Sequence, residues 1–126
     1  MNRTISNIIE FSPYFLSLGM ESTVQDAEKL LNLSKYTCMP IIATDKSCFG
    51  ILSGIDIIQF LDSGQDPKKT KAWEICSHEV FTIQQDETVR AAGSIMVEHK
   101  VHNIVVYDGI ELKGLITSLN IIENLL

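Results

Sequence analysis

Three things are scarce in this chain, and each scarcity closes off a class of function. Basic residues are the first: 10 Lys and Arg stand against 16 Asp and Glu, for a net charge of −6. Neutralising a phosphate backbone needs clustered Lys and Arg. The one basic cluster, KKTK at 68–71, lies beside Gly64 and Pro67 and reads as a solvated linker. Nucleic acid is therefore not expected as the main partner. Long apolar runs are the second scarcity. None approaches the roughly twenty residues of a membrane span, and the opening MNRTISNIIEFSP is too polar for a signal peptide. No membrane partner is expected, and the expected address is the cytoplasm. Cysteine is the third: Cys38, Cys48 and Cys76 are odd in number and lack the C-x-x-C spacing of a zinc or thioredoxin-like site. Reduced thiols and no metal site are the expectation.

Signatures of catalysis are missing too. GILSG at 50–54 places two residues between Gly50 and Ser53, where a nucleophile elbow has one. There is no P-loop, no H-E-x-x-H, and no cysteine with a recognisable base nearby in sequence. The chain is not expected to be an enzyme, and no cofactor is required.

What is present is the composition of a globular domain: 126 residues, 45% apolar, 21% charged, 3 prolines. That length buries roughly two-thirds of the unfolded surface, enough for an ordinary core.

The chain also says everything twice. At an offset of 65, TVQDAEKLLNLSKYTCMPII falls on TVRAAGSIMVEHKVHNIVVY, with Thr23 on Thr88, Val24 on Val89, Ala27 on Ala92 and Lys35 on Lys100. One residue is then lost in a turn. At an offset of 64, FGILSGIDIIQFL falls on KGLITSLNIIENL, with Gly50 on Gly114 and Ile57, Ile58 and Leu61 on Ile121, Ile122 and Leu125. Ser53 meets Thr117, and Asp56 meets Asn120.

Periodicity gives each half the same plan. A short alternating stretch, YFLSL or VFTI, precedes a helix opened by Thr, whose apolar residues (Val24, Ala27, Leu30, Leu31; Val89, Ala92, Ile95, Met96) keep helical spacing. Two apolar runs follow around a turn, marked in the second half by Asp108-Gly109. A second helix, GIDIIQFL or SLNIIENLL, closes the half. The expected division is residues 1–62 as the first repeat with an N-terminal segment at Ile5, Ile8 and Ile9, 63–72 as linker, and 73–126 as the second repeat. Half a chain is too small to bury two helices against three strands, so the halves are expected to pack as one unit. Gly93 sits inside a helix at about 1 kcal/mol relative to Ala. It reads equally as a close-packing point across a dimer or as a neutral surface glycine.

Ser53-x-x-Asp56 and Thr117-x-x-Asn120 stand before helical apolar runs, and two readings of them are open. One is a capping box, in which hydroxyl and carboxylate or amide satisfy N–H groups of the first turn. In this role Asn120 is the poorer partner. The other is a ligand site. A helix N-terminus attracts phosphate, a hydroxyl donates to it, and a carboxylate or amide one turn inside accepts from a ribose diol.

The strand-helix-strand-strand-helix order, with VFTIQQDETVRAAGSIM, KVHNIVVYDG and KGLITSLNII, resembles a cystathionine-β-synthase (CBS) domain. The two halves resemble a CBS pair, or Bateman module. The resemblance covers almost the whole chain. It implies an α/β (α+β) fold of two β-α-β-β-α repeats packed as one pseudo-twofold module, and a regulatory role. It further implies an adenosine-containing ligand, AMP, ADP, ATP or S-adenosylmethionine, in the cleft between repeats. Phosphate and ribose would then fall to Ser53 and Asp56 in the first half and Thr117 and Asn120 in the second. KVHNIVV is similar to a phosphate-contacting strand of the γ subunit of AMP-activated protein kinase, which implies a role for His102. In that strand an Arg follows the His, and here Asn103 stands in its place. Thr37-Cys38, the equivalent pair of the first half, has no charge. Adenine would lie against Ser17 and Leu18, or Thr82 and Ile83, partly through backbone atoms. Pro40 matches a frequent strand proline of the family and also reads as an edge or bulge proline. Signalling would run through a homodimer or through an effector protein of unknown identity. The alternative is a ligand-free dimerisation or protein-interaction module in which the four motif residues are caps.

Overall fold

Thr23 and Thr88 open the first helix of each half as the sequence predicts. Each hydroxyl accepts a backbone N–H three residues on, from Asp26 and Ala91 respectively, both at 3.1 Å. The computed structural model describes residues 3–8, 16–34 and 37–124. Ile9, Tyr14, Phe15, Lys35 and Leu125, used in the sequence reading, lie outside them. In chain order the elements are α1 (Ile5–Ile8), β1 (Leu18–Gly19), α2 (Val24–Leu33), β2 (Cys38–Ile42), β3 (Cys48–Ser53), α3 (Gly54–Asp62), a 3-10 turn (Ala72–Glu74), β4 (Thr82–Gln84), α4 (Val89–His99), β5 (Asn103–Asp108), β6 (Glu111–Thr117) and α5 (Ser118–Glu123). The α+β class and the twofold repeat of strand, helix, strand, strand, helix are as expected.

Residues 16–80 form one compact unit, and residues from 81 onward form the other together with the N-terminal segment. Each has a three-stranded sheet, β1-β2-β3 or β4-β5-β6, with the first strand parallel and the last antiparallel to the middle one. The repeat extends to a backbone irregularity. The register shifts after Ile41 in one sheet and after Val106 in the other, so Phe49 and Lys113 are the unpaired bulge residues. The offset changes in the turns just beyond. In the second, strand pairing closes on Asp108 and Glu111, so Gly109 and Ile110 are the central residues. Gly109 has φ +62° and Ile110 does not share the positive sign, the pattern of a type II′ turn.

Each unit has its own core. In the first, Leu18, Ala27, Met39, Ile41, Leu52 and Ile57 meet Ala72 and Cys76. In the second, Ile83, Val89, Ala92, Ile104, Val106, Ile116 and Ile121 meet Ile5. Fully burying one such aliphatic side chain stabilises by about 1.5–3 kcal/mol.

The origin of Ile5 and Ala72 differs from the sequence division. Arg3 lends its carbonyl to Val89 N–H at 2.8 Å, and Glu87 accepts Ile5 N–H at 2.9 Å. Thr70 does the same for Val24 N–H, and Ser22 for Ala72 N–H, both at 2.9 Å. Segment 3–8 is thus to the second half what 70–75 is to the first. It builds on the second half, although the sequence reading attached it to the first. The linker is no free tether either. Its Pro67 and Thr70 carbonyls take the first two N–H groups of α2, and Lys71 Nζ donates to the Glu21 carbonyl at 3.1 Å. Those N–H groups have no intrahelical partner, so a carbonyl brought to them removes a desolvation cost.

Pro40 is neither at an edge nor at the bulge. It is fully buried in the middle strand, opposite Ile51. Ile51 spends both backbone groups on Ser77, so the pair loses no bond on that side. On the other side a rung is lost. Val105, which stands where Pro40 does, donates to the Phe81 carbonyl at 2.9 Å, whereas proline has no N–H to give. β1 accordingly begins pairing one position later than β4.

Candidate functional site

Both Ser/Thr-x-x-Asp/Asn motifs sit where the last strand of a unit turns into its last helix. Ser53 and Thr117 have extended backbones, end β3 and β6, and serve as N-caps of α3 and α5. In both units the box is closed. Asp56 Oδ2 accepts from Ser53 N–H at 2.9 Å and from Ser53 Oγ at 3.0 Å, while Ser53 Oγ accepts from Asp56 N–H at 3.3 Å. Thr117 and Asn120 give the same three distances through Oδ1. Asn120, expected to fit this role less well, closes its box at the same distances as Asp56. The reciprocal contact needs one acceptor oxygen, and an amide oxygen provides it.

Capping leaves each side chain one polar atom. Asp56 keeps Oδ1, an acceptor, whereas Asn120 keeps Nδ2, a donor, because Thr117 N–H can only face the amide oxygen. Neither atom is in a hydrogen bond among the described residues; the bond from Asn124 Nδ2 at 2.7 Å goes to the Asn120 backbone carbonyl. All four motif residues are half-buried, open enough to meet a ligand. The two readings of the motif are therefore compatible.

The strand that enters each sheet's centre supplies the rest of the local frame. Cys38 pairs with Ser53 and Asn103 with Thr117. One residue earlier, the Thr37 carbonyl accepts Gly54 N–H at 3.1 Å and the His102 carbonyl accepts Ser118 N–H at 2.9 Å. The structure thus brings His102 to the Thr117-Asn120 junction by its backbone. The His102 side chain is exposed. In the first unit the same frame has exposed Thr37, buried Cys38 and the Asp56 carboxylate, so its only charge is negative.

Of the expected adenine-lining residues, Leu18 and Ile83 point into the two cores, 3% and 8% exposed, so only their backbones are available to a base. Ser17 is half-buried beside edge strand β1, and Thr82 is exposed on edge strand β4.

The thiols are poorly suited to nucleophilic chemistry. Burial pushes the Cys48 thiol up from 9.0 to about 11 and raises Cys38 and Cys76 as well, with nearby Asp56 adding to the rise at Cys76. A thiolate is the reactive form. Among the described residues no group of three or more His, Cys, Asp and Glu side chains could hold a metal ion, and no helix is long and apolar enough to cross a membrane.

Sequence reasoning missed one residue with a positional role, Gly50. A Cβ there would lie 2.6 Å from the Ser77 carbonyl oxygen and 2.7 Å from Cys76 Sγ. The Gly50–Gly114 match was the available signal.

This architecture is that of tandem CBS-domain modules. A solved structure of CBSX2 in complex with AMP superposes with TM-score 0.80 at 20% identity, over 98% of this chain and 96% of that one. The CBS domain of a bacterial CNNM/CorC family Mg2+ transporter in complex with ATP does so with TM-score 0.83 at 19% identity, over 96% and 85%. Residues 72–126 match the family model of the CBS domain. The inosine-5'-monophosphate dehydrogenase of Halobacterium salinarum is 32% identical over 104 residues, 82% of this chain. The chain spans 17 to 20% of the length of the curated relatives it matches. It belongs to the CBS-domain family.

Proposed function

We propose that this chain is a regulatory, non-catalytic module of the cytoplasm that binds an adenosine-containing ligand and assembles as a homodimer. The observation that carries the reading is the free polar atom left on Asp56 and on Asn120 after each has closed its cap. Asp56 Oδ1 accepts from a ribose hydroxyl, and Asn120 Nδ2 donates to a ribose oxygen, without dismantling either helix start. The AMP and ATP complexes of the two similar CBS structures support an adenine nucleotide as the ligand class. S-adenosylmethionine is the other member of the class.

Charge favours the Thr117-Asn120 motif for the phosphates. It is neutral and has His102 beside it, whereas a phosphate near Ser53 meets the Asp56 carboxylate across a short distance. Backbone groups of Ser17 and Leu18, or Thr82 and Ile83, hold the adenine in this reading. The ligand acts by binding one arrangement of the module more tightly than another, and the output passes to an effector protein through the dimer.

A ligand-free assembly module is the second reading. Thr37, Cys38 and Asn103 favour it, since none offers a positive charge to phosphate. A thermal-shift series with AMP, ADP, ATP and S-adenosylmethionine decides between them. A ligand at one hundred times its dissociation constant stabilises by about 2.7 kcal/mol. Absence of any shift at millimolar ligand would leave the assembly module standing. Under the sensor reading, Asp56→Ala and Asn120→Ala reduce the ligand-induced shift unequally, Asn120→Ala more for a phosphate-bearing ligand.

A further inference from the structure

The two capping boxes are built alike and differ in what they turn outward. Ser53 with Asp56 and Thr117 with Asn120 close on the same three contacts, at 2.9, 3.0 and 3.3 Å, so carboxylate and amide serve equally as cap acceptors. The atoms left over are not equivalent. Asp56 presents Oδ1, an acceptor that shares the carboxylate charge, and Asn120 presents Nδ2, an uncharged donor. The surroundings sharpen the contrast. Among the described residues Asp56 enters no ion pair, and Thr37 and Cys38, which frame it at the entry to β2, bring no positive charge. Cys76, buried nearby, feels the carboxylate as a further rise of its thiol. The first unit thus holds an uncompensated negative charge at this half-buried corner. The matching corner of the second unit has Asn103 and Asn120, both uncharged, and exposed His102.

A ribose diol suits either atom, since each hydroxyl both donates and accepts. The group at the 5′ carbon does not. It sits on the same sugar, so a carboxylate bonded to the diol lies close to it, and in a half-buried place that charge is weakly screened. A nucleotide carries a phosphate there, adenosine a neutral hydroxyl, and S-adenosylmethionine a positive sulfonium. We infer that the Asp/Asn difference assigns the two motifs different ligands: Asp56 selects an adenosine compound without phosphate, S-adenosylmethionine above adenosine, and Asn120 admits the phosphate-bearing nucleotide. The chain is thereby a two-input module, in which one side chain in each cap decides which input that half takes. Repulsion makes the choice, because the hydrogen bond to the diol is open to all three compounds.

This division rests on the adenosine ligand of the proposed function, and the test separates the two. The full chain is titrated calorimetrically with AMP, S-adenosylmethionine and adenosine, each alone and each after saturation with another. Chain saturated with AMP still takes S-adenosylmethionine, with its affinity little changed. Displacement of S-adenosylmethionine by AMP, or a wild type that takes only one of the three compounds, overturns the division and leaves the adenosine ligand standing. A wild type that binds none of them overturns both. Asp56→Asn and Asn120→Asp then exchange the outward atoms while keeping the oxygen that each cap needs, and the melting temperature of the free variants checks that they fold. Asp56→Asn weakens S-adenosylmethionine by about tenfold or more and lets the chain take a second AMP, whereas Asn120→Asp weakens AMP by about tenfold or more. Adenosine, neutral at the 5′ carbon, moves least in both. A merely structural role for the two side chains would lower all three affinities together, and that result, or unchanged affinities in both variants, overturns the assignment. The wild-type competition decides the matter on its own if a variant does not fold.

Discussion

Val89 donates its backbone N–H to the carbonyl of Arg3 at 2.8 Å, so a helix of the second half has its first orphan donor satisfied from the N-terminus of the chain. Two residues on, Ile5 is fully buried in the core that Val89 helps form. Folding of the second half therefore depends on residues that precede the first. Ile5→Ala should destabilise by about 2–5 kcal/mol, the range for truncating a buried isoleucine, and the loss should appear in the melting of the second unit. Urea unfolding followed by amide exchange assigned to Val106 and Ile116 checks it. Exchange that speeds up first around Met39 and Leu52 would contradict the placement.

Gly50 lies where a Cβ meets the Ser77 carbonyl oxygen at 2.6 Å. That oxygen accepts Ile51 N–H and the Ser77 N–H donates to the Ile51 carbonyl, both at 2.9 Å, so the Ser77 backbone cannot swing aside. Gly50→Ala should cost about 1–3 kcal/mol, as overpacking does, and Cys76→Ala should fail to rescue it because the carbonyl remains. Equilibrium denaturation of the single and double variants measures both terms.

The helices, the middle strands and the caps were legible because their signals are local. Thr23, Ser53, Thr88 and Thr117 each stand before an apolar period of 3.6, and a cap needs only its own first turn. Segments 3–8 and 70–75 were not legible as counterparts. Their shared features are a carbonyl at the right place and a small or aliphatic side chain in the core, and backbone carbonyls leave no mark on sequence. The lost rung at Pro40 was hidden for the same reason, since whether a missing N–H matters depends on which neighbour would have accepted it. The site was half legible. Spacing picked out the four residues that close the two caps, but the free Oδ1 of Asp56 and Nδ2 of Asn120, on which the proposed ligand contact rests, follow only from seeing which atom the cap consumes.

The Thr23–Asp26 capping box carries an acid sensitivity. Its carboxylate accepts Thr23 N–H at 2.9 Å, and this bond, with the Thr23 hydroxyl, holds the carboxyl below its ordinary 3.8. A lowered native value means that the unfolded chain protonates first as acid is added. The stabilisation is complete above 3.8 and is lost as pH falls through the lowered value. Asp26→Asn should therefore lower the melting temperature at neutral pH and converge on the wild type in acid, where the native carboxyl is protonated, so that the acid fall is flattened. A parallel fall in both proteins would show that the bond contributes nothing.

Alkaline sensitivity runs through the thiols and has the opposite cause. Burial pushes Cys48 up from 9.0 to about 11. Between those values the unfolded chain releases the thiol proton and the folded chain keeps it, so stability falls as pH rises through that window. Cys48→Ala should remove this part of the alkaline slope, although it also removes a packed side chain and so lowers the melting temperature at neutral pH. The slope, not the offset, is the signature. Reactivity follows the same equilibrium. At neutral pH the folded Cys48 holds about a hundredfold less thiolate than an ordinary cysteine, so its alkylation should be slower than that of the same residue in denaturant and should keep accelerating beyond pH 9.0. Peptide-level mass spectrometry after timed alkylation follows each cysteine separately. A Cys48 rate that levels off at the ordinary value would mean that burial does not govern the thiol.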